Sequence, residues 1–67
     1  MMRVVVNGEP RTVARGVTVD TLVAALGRGP RGIAVAVNRE VVPRSTWGEV
    51  QLRPGDHVEV LDAAQGG

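Results

Sequence analysis

The sequence predicts a two-layer α+β domain, a single helix lying across one face of a four- or five-stranded sheet. Three observations predict it. Only the segment from Val19 to Leu26 carries apolar residues at helical spacing. Runs of branched residues with alternating faces recur on both sides of that segment. Asn7-Gly8 and Pro54-Gly55 supply tight turns that join extended runs. One helix with one apolar stripe can cover one sheet face, which is a two-layer design.

Taken in order, Met2 to Val6 reads as a strand ending in Asn7-Gly8, whose two residues tolerate the positive φ of a type I′ turn. Arg11 to Val13 reads as the return strand, with Pro10 near its start or edge, and Gly16 breaks the run. Thr18 is the expected N-cap, and Asp20 complements the helix dipole. Val19, Leu22, Val23 and Leu26 fall at i, i+3, i+4 and i+7, and Gly27 can close the helix in the left-handed conformation. A loop from Arg28 to Gly32 leads to a strand from Ile33 to Val37. Asn38-Arg39 then turns the chain into Glu40 to Val42, which Pro43 stops. Arg44 to Glu49 reads as an irregular or helical turn that tucks in Trp47, and Val50 to Leu52 as a short extended piece. After the Arg53-Pro54-Gly55-Asp56 turn, His57 to Leu61 forms the last strand, with Val58 and Val60 on one face. Residues 1–61 are thus expected to form the domain. Residues 62–67, Asp-Ala-Ala-Gln-Gly-Gly, lack any branched or aromatic residue that could pack and are expected to be a flexible tail.

Composition excludes several classes of function. Sixty-seven residues lie near the lower size limit for an unaided core, and a chain this short rarely adds a deep catalytic pocket. The absence of Cys removes disulfides, thiolate zinc sites and cysteine nucleophiles. The pI of 9.1 reflects a single excess positive charge in a chain without Lys, Tyr or Cys, so little titrates between neutrality and the arginines. Its eight arginines are scattered among seven acids, and only Trp47 is aromatic, so no nucleic-acid stripe forms. No apolar run has the length of a membrane span, and no secretory signal opens the chain, so a cytoplasmic location is expected. The acids form no pair suited to acid–base catalysis, and no glycine-rich stretch has Walker spacing. His57, with no Cys or second His to join it, reads as a solvated strand residue and Trp47 as a packing residue. No catalytic or metal-ligating residue is therefore expected.

The opening Met2-Arg3-Val4-Val5-Val6-Asn7-Gly8 is followed by Ala36-Val37-Asn38-Arg39-Glu40-Val41-Val42-Pro43-Arg44 and then Trp47. Gly55-Asp56 precedes the last strand, and Gly66-Gly67 closes the sequence. In this order the residues resemble the β-grasp, or ubiquitin-like, fold, and most closely the small bacterial sulfur carriers of thiamine biosynthesis. The resemblance spans essentially the whole chain. Gln65 departs from it, because an apolar or small residue usually precedes the terminal glycines in that family. Parts of the pattern also resemble β-grasp modules fused to tRNA synthetases and GTPases, which lack a terminal Gly-Gly.

The resemblance implies a carrier and not an enzyme. Gly67 would be adenylated by an E1-like enzyme that itself binds ATP and Mg, the chain holding no cofactor. A sulfur relay fed by a cysteine desulfurase would convert Gly67 to a thiocarboxylate, and a thiazole synthase would consume the sulfur. The residues suit that chemistry. A carboxylate accepts a nucleophile only once its oxygen becomes a good leaving group, and adenylation achieves this. Gly66 and Gly67 have no Cβ, so with Gln65 they form a narrow thread into a closed nucleotide site. A six-residue tail reaches roughly 20 Å, enough to enter such a site while the domain stays docked outside. Leu61 and Arg44 are the candidate docking residues. Alternatives sharing the fold are the small subunit of molybdopterin synthase, a ubiquitin-like protein modifier and a binding module without tail chemistry. The lack of Lys argues against chains of the protein linked to itself.

Overall fold

The computed structural model describes residues 1–29 and 31–62. Strand β1, Met2–Val6, and strand β2, Glu9–Val13, form a hairpin around Asn7-Gly8. Both turn residues have positive φ, at 50° and 83°, as a type I′ turn requires. The return strand begins two residues earlier than the sequence suggests, because a two-residue turn pairs Val6 directly with Glu9. Pro10 is accommodated for a physical reason. It lies opposite Val5 on an edge strand, where its missing N–H points away from the ladder.

Helix α1, Val19–Ala25, follows as expected and buries Val19, Leu22 and Val23. Thr18 occupies the N-cap position, but its side chain caps no backbone N–H. Its hydroxyl donates to Asp20 and bonds Thr21 instead. Two free N–H groups of the first turn are met from across the domain: Val19 donates to the Val50 carbonyl at 3.0 Å and Asp20 to that of Trp47 at 3.4 Å. The expected extended piece at Val50–Leu52 reduces to one bridge, Thr18 to Gln51. At the other end Gly27, with φ 78°, closes the helix. Gly27 donates to Ala24 and Arg28 to Val23, the paired bonds of a Schellman motif.

Strand β3, Ile33–Val37, leads through Asn38-Arg39 into the two-residue strand β4, Glu40–Val41. Val42, expected in β4, lies outside it: its N–H still donates to Val35, but its carbonyl accepts the Trp47 indole N–H at 2.9 Å. A short 3₁₀ turn, Arg44–Thr46, brings Trp47 into the core. Pro54-Gly55 makes the last turn, Gly55 at φ 86°, and Asp56 donates to the Arg53 carbonyl. Strand β5, His57–Asp62, runs one residue further than expected, since Asp62 pairs with Ile33.

The sheet order is β2-β1-β5-β3-β4, with β1 and β5 parallel and the other pairs antiparallel. The helix covers one face. Met2, Val4, Val6, Val35, Val58 and Val60 meet Val19, Leu22 and Val23 there, with Val42, Trp47 and Leu52 closing the core. One helix over a five-stranded mixed sheet in this order is the β-grasp fold.

Candidate functional site

Strand β5 is the middle strand, and it carries the chain toward residues 63–67. Alternation sends Val58 and Val60 into the core and His57, Glu59 and Leu61 to the uncovered face. The register places Leu61 beside Ala34, and Ala36 beside both Glu59 and Val41. Leu61, Ala34, Ala36 and Val41 thus share the uncovered face. The two alanines stand low, so Leu61 and Val41 project beside them and remain 58% and 77% exposed. An apolar strip therefore runs from the end of β5 to the sheet edge.

Besides its pairing with Ile33 and Ala34 of β3, two side-chain interactions hold the end of β5. Arg28, delivered by the Schellman motif that closes α1, forms an ion pair and hydrogen bond with Asp62. From the β1 side, the Asn7 side chain bonds both the N–H and the carbonyl of Val60. At the start of β5 the Asn38 oxygen accepts the His57 N–H at 3.0 Å, and its amide donates to Asp56. That bond, with Asn38 N–H to the His57 carbonyl at 2.7 Å, supports a turn in which Asn38 and Arg39 both have positive φ. A shallow depression lined by Val5, Gly8, Arg39, His57 and Glu59 lies between the two turns, at the end of β5 away from Leu61. His57 is exposed there.

Of the predicted site residues, Leu61 stands on the uncovered face next to the chain's exit from the sheet. Arg44 is exposed at the start of the 3₁₀ turn, beyond edge strand β4 and two sheet positions from β5. The two do not form one cluster. Gln65, Gly66 and Gly67 lie outside the described residues. Sequence reasoning missed Val41, Asn7 and the Arg28–Asp62 pair. The signal for Val41 was the opposite facing of adjacent Val41 and Val42. Asn7 and Asp62 make contacts across 53 and 34 residues, which no local pattern carries.

A β-grasp domain with its last strand central and an apolar strip at that strand's end belongs to the ubiquitin-like class. The chain is a member of the ThiS family, whose family model matches residues 4–67. It is 30% identical to the sulfur carrier protein ThiS of Escherichia coli K12 over 66 residues, covering all of that protein. The crystal structure of the thiamine biosynthesis protein ThiS from Geobacter metallireducens superposes with a TM-score of 0.85 at 35% identity, covering 98% of this chain and 100% of that one. Two longer relatives are thiazole synthases, from Paramagnetospirillum magneticum (38% identical) and Magnetococcus marinus (39%). The match covers 98% of this chain, which spans about a fifth of the length of each of those proteins.

Proposed function

We propose that this protein carries sulfur for the thiazole ring of thiamine, as a thiocarboxylate at Gly67. The observation that carries the reading is the family match through residue 67, on a domain whose central strand leads toward that residue. In this reading the Gly67 carboxylate attacks the α-phosphate of ATP and releases pyrophosphate. A persulfide from a relay fed by a cysteine desulfurase then displaces AMP, and a second thiol on the partner side cleaves the resulting acyl disulfide, leaving the thiocarboxylate on Gly67 and a disulfide on the partner. ATP and Mg belong to the E1-like adenylating enzyme, and the carrier acts as co-substrate in the cytoplasm. Residues 62–67 act as the working tail, of which Asp62 also ends β5. Thiazole synthase is the acceptor's enzyme, a reading supported by the thiazole synthases that contain a stretch similar to this chain.

Incubation with host extract, ATP and cysteine is expected to raise the intact mass by the difference between sulfur and oxygen. Deletion of the gene is expected to make growth depend on the thiazole precursor while molybdenum enzymes stay active. The converse phenotype would assign the protein to molybdopterin synthesis. A ladder of larger covalent species stable to reducing agent would assign it to protein modification.

In the same reading the strip from Leu61 to Val41 docks on the adenylating enzyme, and Arg44 reaches the same partner from the sheet edge. A patch this small suits a carrier that must leave one enzyme for the next. Leu61→Arg places a charge in the strip at a largely exposed position. It is expected to raise KM for the carrier roughly tenfold and leave the melting temperature unchanged. An unchanged KM would remove Leu61 from the docking face.

A further inference from the structure

We propose that Asn7 is a positioning residue for the reactive tail: its side-chain amide completes the β1–β5 ladder at Val60 and fixes the direction in which the chain leaves the sheet. The parallel ladder has regular rungs. Val5 N–H donates to the Asp56 carbonyl and Asn7 N–H to that of Val58, both at 2.9 Å. The next rung falls at Val60, but β1 has turned away by then through Asn7 and Gly8, both at positive φ. The Asn7 side chain takes the place of the missing strand. Its Nδ2 donates to the Val60 carbonyl at 3.1 Å, and its Oδ1 accepts the Val60 N–H at 2.9 Å. A primary amide offers the donor and acceptor of a peptide group, so it can stand in for one. Gly keeps the turn conformation and offers neither.

On its other side Val60 lies opposite Val35, whose carbonyl accepts the Val42 N–H. The Val60 polar groups are therefore met from the β1 side, by Asn7. Only Leu61 and Asp62 of the strand follow this rung.

Asn38 provides an internal comparison. It has the same φ of 50°, also precedes a second turn residue at positive φ, and bonds the same strand, but at His57. Losing either side chain removes hydrogen bonds to β5. Only the loss of Asn7 does so near the end from which the tail departs, leaving Leu61 and Asp62 held by β3 and Arg28 alone.

The proposal rests on the reading that Gly67 is adenylated, and the experiment separates the two. Wild type, Asn7→Gly and Asn38→Gly are compared as substrates of the host's E1-like enzyme by pyrophosphate release, where circular dichroism shows all three folded. Amide exchange at Val60 is followed by NMR. Docking precedes threading, so Asn7→Gly is expected to lower kcat about fivefold with KM nearly unchanged, and to accelerate Val60 exchange. Asn38→Gly is expected to keep wild-type kcat and Val60 exchange. Equal kcat for the two variants, or an effect on KM alone, would overturn the positioning role. A wild-type protein that releases no pyrophosphate would overturn the Gly67 reading. Val60 exchange unchanged in Asn7→Gly would overturn the clamp in either case.

Discussion

Deleting Gly67, or replacing Gly66 with Val, is expected to abolish acceptance by the adenylating enzyme while the melting temperature hardly moves. Among the described residues the buried core runs from Met2 to Val60, and neither glycine has a side chain to contribute to it. Deletion places the carboxylate one residue short of the reacting phosphate. Valine adds two methyl groups and a restricted backbone to a thread built to be narrow. Misplacement of a reacting group by about 1 Å costs roughly a hundredfold in rate, and either change exceeds that. Pyrophosphate release and intact mass measure the first effect, and thermal unfolding measures the second. A large loss of stability would show that the tail is packed, and the threading reading would fail.

Leu22→Ala is expected to do the reverse. Leu22 is 2% exposed at the centre of the helix's apolar face, between Val19 and Val23 and over the sheet. Truncating a buried leucine removes its transfer energy and leaves a cavity, at a cost of about 2–5 kcal/mol. A domain this small holds only about 5 kcal/mol or somewhat more in reserve, so the unfolded fraction is expected to rise steeply, to as much as about half at the upper end of that cost. Chemical denaturation measures the loss directly. The fraction that remains folded should be adenylated at the normal rate, because the helix lies on the face opposite Leu61. A neutral result would displace Leu22 from the core.

The parts legible in the sequence were those whose causes are local. Asn7-Gly8 and Pro54-Gly55 announced their turns, and the stripe from Val19 to Leu26 announced the helix, each within a few residues. Strand order was not legible, because β1 and β5 pair across about 50 residues and no periodicity records which strands meet. Thr18 misled for a related reason. Its type and position fit a cap, but the carbonyls of Trp47 and Val50 already serve the first helical turn. At the site, Leu61 could be found because it breaks the pattern of a strand whose other branched residues are buried. The apolar strip needed the register, since Val41 joins Leu61 only through Ala34 and Ala36. Asn7 was legible as a turn former but not as a clamp, because its partner is brought to it only by the completed fold.

The placement of β5 ties the working end of the molecule to the order in which the molecule assembles. β1, β2 and α1 can form from neighbouring chain, but the middle of the sheet stays open until residues 57–62 arrive and insert between β1 and β3. Closing so long a loop is the slow, costly step of such a topology. A chain interrupted before β5 would therefore lack its tail and also the strand that joins the two halves of its sheet. In the proposed reading such a fragment would lack the reactive end and Leu61, and would keep Val41 and Arg44 only on an unclosed sheet, so an unfinished carrier would compete poorly for a sulfur-transfer site that it is unable to serve.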